Sequence, residues 1–362
     1  MKYALRRVDD IEYENLIAAA KIQPQIEQSP LWDKFDLAVG GRQPYGRFVF
    51  ESLGEDRRQV LAVISLTKFK GRGFTYLWAK KGPLWAHKPS PGLEYAFLKT
   101  LQAYIAKRDK NITFVRLHLE HPRDDVFELL QTLTYDRTVK VDLRPSEDEI
   151  LAQMKKRGRR CIRAGEKQPD LEVVERTGLS REEFDEIFKV LEETAQRDGF
   201  RLLDDEVYWQ MLQSLGPEHA RLFVTECDGE PLSWNLMLVY ANQAEAYYGA
   251  SSAHGRSRNA TELLEWRIMQ KLKAEGVESY DFMGVESDRA PQLSGVTTYK
   301  TKFAREITEV PGAWDFPIFP TRYAMLVSAM NTKRTLVEVK ATALERLRSL
   351  SLKKRKNEVE EA

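Results

Sequence analysis

Hydrophobic and polar positions in the first part of the chain predict a strand meander, then a helix and a further strand. The segments FVFESL, VLAVISL and FTYLWA have the alternation of strands and are separated by charged or glycine-containing turns. An amphipathic helix is predicted near Leu93–Lys107, and the strand ITFVRLHL follows it. Two short helices, at about Ile11–Lys21 and Pro30–Phe35, precede the meander.

The second part of the chain repeats this order. A helix over EEFDEIFKVLEETAQR precedes the strands ARLFVTEC, PLSWNLMLVY and EAYYGAS, with a tight turn at Asp228-Gly229. The next helix is predicted to begin at Asn259, an N-cap residue with Glu262 three positions later, and to end at Gly276. The strand SYDFMG comes after it.

Two halves with one order of elements predict a duplicated α/β (α+β) fold. The layout is that of two tandem GNAT-like domains, each a mixed sheet flanked by helices, over residues 1–144 and 145–312. The boundary rests on VDLRPSEDE, where a strand pattern ends in a polar turn. Residues 313–362 are predicted to pack back on the first domain and to end in a basic helical tail. Packing of that tail on the body, and contact with an anionic membrane surface or RNA, are both open.

Composition and charge limit the classes of protein to which the chain can belong. The chain has 56 basic and 55 acidic residues, for a formal net charge of +1, and its longest apolar run is too short for a membrane span. The N-terminus has no apolar signal core, and Cys161 and Cys227 are too few for a disulfide framework or a zinc site. These features predict a cytoplasmic protein without a metal site.

Basic charge is concentrated in one place. Seven of the fourteen residues of Met154–Lys167 are Lys or Arg. The segment is either a solvated helix face or a contact for the phosphates of a nucleic acid or a lipid headgroup.

A coenzyme A site is the first chemistry to test on this fold. GNAT enzymes hold the pyrophosphate in a turn of pattern R/Q-x-x-G-x-G/A at a helix N-terminus, where glycines let backbone N–H groups approach. The corresponding Arg256–Thr261 reads RSRNAT, with Asn259 and Thr261 in place of the small residues. The first half has SPGLEY, which also fails the pattern. We therefore expect no cofactor, and a coenzyme A-dependent N-acyltransferase is kept as an alternative.

Several segments, in order, resemble the FemABX family of aminoacyl-tRNA-dependent peptidyltransferases, which build the cross-bridges of bacterial peptidoglycan. They are QSPLWDKF, RGRRCIRAGEK, TAQRDGFR, AEAYYGASS, ATELLEWRIMQKLKAEGVESYDFMGV and YKTKFA, from about Gln28 to Phe303. The chain has no room for the helical hairpin that some members insert, so it resembles the compact, FemX-like form. The resemblance implies two GNAT-like domains without a coenzyme A loop.

The resemblance also implies a reaction and its partners. An amino acid would pass from aminoacyl-tRNA to the stem-peptide amine of lipid II or UDP-MurNAc-pentapeptide, in the cytoplasm or at the inner face of the membrane. Lys300 matches the lysine thought to lie beside the reacting ester, with Tyr299 next to it and Lys302 as an alternative. Asp281 is a candidate proton acceptor, or else it caps the following turn.

Two binding surfaces follow from the same resemblance. Lys34, Arg197 and Tyr248 match positions that hold the muropeptide, and Tyr247 is an alternative because neighbouring strand residues point to opposite faces. The tRNA acceptor stem is assigned to the basic segment, with the residues Lys155, Lys156, Arg157, Arg159, Arg160 and Arg163. A non-catalytic tRNA-binding module remains a rival interpretation.

Overall fold

The computed structural model describes residues 2–54, 58–71, 73–129 and 134–332. The first part contains β1 (Lys2–Val8), α1 (Asp10–Ala19), a 3-10 turn (Ile26–Gln28), α2 (Trp32–Val39), β2 (Arg42–Leu53), β3 (Arg58–Gly71), β4 (Phe74–Trp78), β5 (Leu84–Trp85), α3 (Pro91–Arg108) and β6 (Ile112–Leu119). No helix among the described residues is long and apolar enough to cross a membrane.

The second part begins with β7 (Arg137–Asp142), α4 (Glu147–Gln153), α5 (Lys156–Glu166), β8 (Leu171–Glu175), α6 (Arg181–Asp198), α7 (Asp205–Leu215), β9 (Ala220–Cys227) and β10 (Glu230–Tyr240). It continues with β11 (Gln243–Ser251), α8 (Ala253–Ser257), α9 (Ala260–Ala274), β12 (Ser279–Gly284), a 3-10 turn (Pro291–Leu293), α10 (Ser294–Lys300), β13 (Thr308–Glu309) and β14 (Gly312–Pro317).

These elements form two seven-stranded sheets. The first has the order β1-β2-β3-β4-β6-β14, with β5 beside β3, and the second has the order β13-β7-β12-β11-β10-β9-β8. The predicted fold class, two GNAT-like units of mixed sheet and helix, is confirmed. Three predicted strands, ITFVRLHL, ARLFVTEC and SYDFMG, coincide with β6, β9 and β12.

The division between the sheets lies earlier than the predicted boundary at residue 144. The strand β7 precedes that boundary, yet it pairs with β12 through Val141 and Tyr280 and so belongs to the second sheet. The pattern in VDLRPSEDE correctly shows a strand that ends in a turn. The sheet that the strand joins is decided by long-range backbone pairing, which the local pattern does not contain.

The chain returns to the first sheet after completing the second. The strand β14 pairs antiparallel with β6, and the buried guanidinium of Arg116 on β6 donates to both carboxylate oxygens of Asp315 on β14, at 2.7 and 3.1 Å. A helix over residues 320–332 follows. The predicted basic end of the tail, from residue 333, lies outside the described residues.

One face of the second sheet meets the first domain. Its core cluster combines Trp234 and Leu236 of β10 with helices α6 and α7, and it also includes Trp32 and Phe35 of α2. The opposite face packs on α4, α5 and α9. The two domains therefore share an apolar contact. At the edge of this contact, side chains of the first domain lie opposite side chains of the second.

The predicted capping box at the start of α9 is wrong. Asn259 does occupy the N-cap position, but its backbone is left-handed at φ 59° and its side chain does not cap the helix. Glu262 forms an ion pair with Lys302 instead of reaching back to the helix start. A tertiary partner thus takes the side chain that the local pattern assigns to a cap.

Candidate active site

Lys300 ends α10 with its ammonium largely buried. Its Nζ donates to the carbonyl oxygen of Gly284 at 2.7 Å, and no ion pair with a carboxylate forms within the described part of the chain. Burial lowers the pKa of Lys300 to about 8, against the opposing fields of Asp281 and Glu265. The site therefore holds a positive charge that is poorly solvated and only weakly neutralised.

Lys302 has a different environment. Its Nζ is ion-paired with the carboxylate of Glu262 on α9, whose side chain is only 7% exposed, and it lies 5.3 Å from the ring centre of Tyr299. The charge of Lys302 is therefore neutralised within the fold. Between the two lysines, Lys300 is the one available to a substrate.

Tyr299 is held against α9. Its hydroxyl donates to Glu265 on α9 at 2.9 Å, and Glu265 also accepts from the hydroxyl of Tyr280. Burial raises the pKa of Tyr299 well above its ordinary value. Tyr299 is thus positioned to anchor α10 rather than to exchange a proton. Glu265 was missed at the sequence level, because a glutamate in a helix normally faces solvent.

Asp281 has most of its hydrogen-bonding capacity in use. Its Oδ1 accepts the N–H of Met283 at 2.7 Å and the hydroxyl of Thr138, and its Oδ2 lies 3.5 Å from Nζ of Lys140. The backbone bond is the turn cap that the sequence left open as an alternative. Met283 itself has a left-handed backbone, at φ 61°.

A second charged cluster joins the two domains beside Asp281. Nζ of Lys81, in the loop after β4, lies 3.3 Å from Oε1 of Glu27 and pairs with Oε1 of Glu245 on β11. Glu245 is the register neighbour of Asp281 on the adjacent parallel strand. These three residues were not singled out from the sequence, because only the tertiary fold brings positions 27, 81 and 245 together. The one local signal is a glutamate among the buried residues of β11.

Tyr135 links this cluster to Lys300. A Cβ at Gly284 would lie 2.7 Å from the Tyr135 ring, so the glycine lets the ring pack against the strand whose carbonyl holds Lys300. Burial raises the pKa of Tyr135, and its hydroxyl lies within electrostatic range of Lys81, Asp281 and Glu245. The lysine and the carboxylates therefore belong to one site, where β11 and β12 separate after three paired positions.

Tyr247 and Tyr248 do not point to opposite faces. The register of β10 and β11 shifts between Leu236–Tyr248 and Met237–Ala246, so Tyr247 is the extra residue of a β-bulge. The two tyrosine rings lie 5.1 Å apart on the face toward the first domain, with Tyr247 against Trp32. Regular alternation predicted otherwise, and a bulge is the reason that it fails.

Lys34 and Arg197 are the other two candidates for binding the muropeptide, and they differ in whether other groups of the protein already bind their side chains. Lys34 is exposed on α2, with no side-chain partner in the described structure. Arg197 donates to Asp198 through two nitrogens, at 2.7 and 2.8 Å, and to the Ser251 carbonyl at 2.6 Å. A phosphate at Arg197 would therefore have to displace Asp198.

The basic segment forms α5 and its N-cap. Five of the six candidate residues are exposed and have no ion pair within the described structure, namely Lys155, Lys156, Arg157, Arg160 and Arg163. Arg159 is the exception, because it donates to the carbonyl of Met154 at 2.6 Å and so stabilises the end of α4. The chain thus presents a compact positive face.

Helix α5 is docked directly on the segment that carries Lys300. The N–H of Lys155 donates to the carbonyl oxygen of Lys302 at 3.1 Å, and a side chain at Gly158 would overlap the same oxygen. The glycine therefore allows a close approach that any other residue would prevent.

Replacing Gly158 by Ala is expected to move α5 away from Lys302 and to lower the thermal unfolding midpoint, although alanine favours a helix by about 1 kcal/mol. The matched change Gly92→Ala in α3, where an added Cβ meets nothing within 4 Å, should leave the midpoint equal or higher. Calorimetry of both variants checks this. Equal midpoints for the two variants would contradict the close approach.

The same helix covers the place where a GNAT enzyme would bind coenzyme A. A Cβ at Gly165 of α5 would lie 3.1 Å from the carbonyl oxygen of Asn259, which precedes the first turn of α9. The nearby guanidinium of Arg258 is bound to Asp170 and Gln168. This arrangement agrees with the poor match of Arg256–Thr261 to a pyrophosphate loop.

Several known proteins are similar to this chain in sequence or in fold. Residues 152–301 match the family described as acetyltransferase (GNAT) domain. A UDP-N-acetylmuramoylpentapeptide-lysine N(6)-alanyltransferase of Weissella viridescens is 28% identical over 42% of this chain and 44% of its own length. A lipid II:glycine glycyltransferase of Staphylococcus saprophyticus is 26% identical over 35% of this chain and 31% of its own. The chain thus matches less than half of either relative's length.

A crystal structure of FemX superposes with a TM-score of 0.70 at 16% identity, over 90% of this chain and 100% of that one. The resemblance to the FemABX family is confirmed. A tandem GNAT protein from the clavulanic acid biosynthesis pathway shares the Fem-like fold less closely, with a TM-score of 0.51 at 12% identity. That likeness concerns the fold alone.

Proposed function

We propose that the protein is an aminoacyltransferase that moves an amino acid from aminoacyl-tRNA to the stem-peptide amine of lipid II or UDP-MurNAc-pentapeptide, building the interpeptide bridge. The names of the two curated relatives supply the acceptor class. The structural observation that carries the proposal is the largely buried ammonium of Lys300, which has no carboxylate partner among the described residues and lies next to a docked basic helix.

The reaction requires a group that stabilises a negatively charged intermediate, and Lys300 can serve as that group. Attack of a neutral amine on the aminoacyl ester creates a tetrahedral oxyanion, and a fixed positive group in a site with little water stabilises it strongly. The Lys300 ammonium is held by one carbonyl and keeps two further N–H donors for the oxyanion or the leaving 3′ oxygen. Tyr299 holds α10, and Asp281 contributes negative charge that keeps Lys300 protonated.

The donor requires a surface for polyanionic RNA. Helix α5 and its N-cap offer five basic side chains that have no ion pair in the described structure. The N-cap residue Lys155 is hydrogen-bonded to Lys302, two residues from Lys300. Phosphates of an acceptor stem on α5 would therefore lie close to the ester at the 3′ end of the same molecule.

Reversing two charges, as Arg157→Glu with Arg160→Glu, is expected to weaken tRNA binding mainly at low salt. Each lost phosphate contact lowers the slope of log affinity against log salt by about 0.7–0.9, so the pair should lower it by about 1.5. Filter binding between low and high salt measures the slope. The control Lys107→Glu with Arg108→Glu, on exposed positions of α3, makes the same charge change and should keep the slope. Equal slopes for the two double variants would exclude α5 as the phosphate contact.

The acceptor is assigned to the edge of the contact between the two domains. Lys34 is available for its phosphates, and the edge-to-face pair of Tyr247 and Tyr248 offers an aromatic wall for the sugar–peptide. Arg197 would join after releasing Asp198. An acceptor that is a cytoplasmic nucleotide or a membrane lipid places the protein in the cytoplasm or peripherally at the inner membrane face.

Separate reactions with UDP-MurNAc-pentapeptide and with lipid II test the proposal. Each contains the purified protein and a pool of tRNAs charged with radiolabelled amino acids, and acetyl-coenzyme A replaces the charged tRNA in a control. Label in one acceptor, with none transferred from acetyl-coenzyme A, is the expected result. Acetylation of the acceptor would establish the coenzyme A-dependent rival. Binding of tRNA without any transfer would establish the non-catalytic rival.

A further inference from the structure

The carboxylates of Glu27 and Glu245 are unusual in their hydrogen bonding. One oxygen of each is held by Lys81, while the other oxygen, Oε2 in both, is buried and has no hydrogen-bond partner in the described structure. Both residues are more than nine-tenths buried. The two buried carboxylates thus share the Lys81 ammonium, and each keeps one oxygen that can accept a further hydrogen bond.

A buried acceptor without a partner is costly, so the cluster favours binding of a further donor or proton. The missing group must be small and must carry N–H or O–H donors. A primary ammonium fits, since it offers three donors and cancels the excess negative charge. The side chains of Lys81 and Asp281 are 19% and 15% exposed, so the cluster is not fully closed to solvent.

The cluster lies next to the proposed reacting centre. Glu245 and Asp281 are register neighbours on parallel strands, which places their Cα atoms about 5 Å apart with side chains on one face. Asp281 in turn is the carboxylate with the strongest effect on Lys300. A substrate between Lys300 and Glu245 would have its carbonyl near the cation and its amine near the carboxylate.

We propose that Glu245 accepts the proton of the attacking substrate ammonium, with Lys81 and Glu27 holding its carboxylate in place. This inference rests on the proposed aminoacyl transfer. Glu245 is the proposed catalytic residue, whereas Lys81 and Glu27 are positioning residues that act through it.

The substrate R–NH₃⁺ gives one proton to the Glu245 carboxylate, and the resulting amine forms a C–N bond with the ester carbonyl. The tetrahedral intermediate breaks its bond to the 3′ oxygen of the tRNA, which takes a proton from the Lys300 ammonium. Lys300 recovers a proton from the nitrogen of the new amide. Glu245 then releases its proton to water, so one proton leaves per transfer.

Glu245 is better suited to this step than Asp281. Asp281 is engaged by Thr138, Met283 and Lys140, whereas Oε2 of Glu245 has no hydrogen-bond partner among the residues that the structure describes. Burial raises the pKa of Glu245 to about 7, with Lys81 opposing the shift, so the carboxylate is a proton acceptor near neutral pH. The titratable and charged groups around it are Lys81, Glu27, Asp281, Tyr135 and Tyr247.

The pH dependence follows from that pKa. Below about pH 7 Glu245 is protonated and cannot accept a proton, so kcat should fall on the acid side and rise as the pH increases through 7. The variant Glu245→Gln should lose this acid limb and lower kcat by about 10²–10⁴-fold, with little change in KM for aminoacyl-tRNA. Glu245→Asp keeps a carboxylate and should retain the limb with a smaller loss of kcat.

The experiment measures pH profiles of label transfer for the wild type, Glu245→Gln, Glu245→Asp, Glu27→Gln and Asp281→Asn, with tRNA binding and thermal unfolding as checks of the fold. The expected result is loss of the acid limb in Glu245→Gln alone. If Glu245→Gln does not fold, Glu245→Asp carries the test through the midpoint of its acid limb, which should move from the wild-type value because the shorter carboxylate has a different environment; an unmoved midpoint would overturn the proposal. A limb retained in Glu245→Gln, or lost in Asp281→Asn instead, would overturn the proposal while leaving aminoacyl transfer intact. A wild type without transfer would overturn both.

Discussion

Replacing Lys300 by Met is expected to lower kcat for aminoacyl transfer by about 10²–10³-fold, the usual loss on removal of one group that stabilises an oxyanion. The side chain is largely buried and has no carboxylate partner in the described structure, so methionine fills the same space without leaving an unpaired anion. The unfolding midpoint should therefore change little. Single-turnover transfer rates and calorimetry of the same preparations measure the two effects.

Lys302→Met is the matched control, because it makes the same substitution two residues away. Loss of the Lys302 ammonium leaves Glu262 buried without its counter-ion, which costs on the order of 3 kcal/mol of folding free energy. We expect Lys302→Met to be less stable but to keep its activity at low temperature. The opposite pattern, a stable inactive Lys302→Met and an active Lys300→Met, would show that the other lysine carries the chemistry.

The pKa of Lys300 predicts a second signature of the same residue. With a pKa of about 8, the ammonium loses its proton as the pH rises through 8, and transfer should decline on the alkaline side. Lys300→Arg keeps its charge at every accessible pH, so this variant should lose the alkaline limb whatever its remaining rate. An unchanged limb in Lys300→Arg would assign the limb to another group.

Replacing Arg116 by Met is expected to destabilise the fold by about 3–5 kcal/mol, because it removes the guanidinium that balances the charge of the buried Asp315 carboxylate. The pair joins β6 to β14, the strand by which the end of the described chain returns to the first sheet. The loss should therefore loosen β14 before the rest of the sheet. Denaturant unfolding and hydrogen exchange across residues 312–317 measure the two effects.

The double variant Arg116→Met with Asp315→Leu separates the charge from the packing. When both partners are replaced by apolar side chains of similar size, no buried charge remains, and most of the lost stability should return. A double variant as unstable as Arg116→Met alone would show that packing of the guanidinium on Tyr76 and Trp78 matters more than the ion pair.

Local patterns predicted most strands because each strand carries its own signal of alternation and turns. They failed where the backbone leaves regular geometry or where a partner is distant. The bulge at Tyr247 places two neighbouring tyrosines on one face. The strand β14 was missed because GAWDFP has no alternation, and because its partner β6 lies 199 positions earlier in the chain at the Arg116–Asp315 pair.

In the candidate site too, local sequence patterns identify some features, and only the tertiary structure identifies the others. A motif in YKTKFA points to two lysines, but only their tertiary partners, Gly284 for one and Glu262 for the other, tell them apart. The contact between Lys81 and Glu245 has no signal in sequence spacing at all. Charge clusters that are contiguous in sequence, such as α5, are visible beforehand, yet the role of Arg159 at the end of α4 is not.

The most direct test of the central claim follows label from aminoacyl-tRNA into UDP-MurNAc-pentapeptide and, separately, into lipid II, with and without ribonuclease, for the wild type and Lys300→Met. Our account predicts transfer by the wild type that ribonuclease abolishes and that Lys300→Met lacks. Absence of transfer from every aminoacyl-tRNA, together with saturable binding of coenzyme A, would contradict it. The protein would then be a GNAT acyltransferase with an altered phosphate loop.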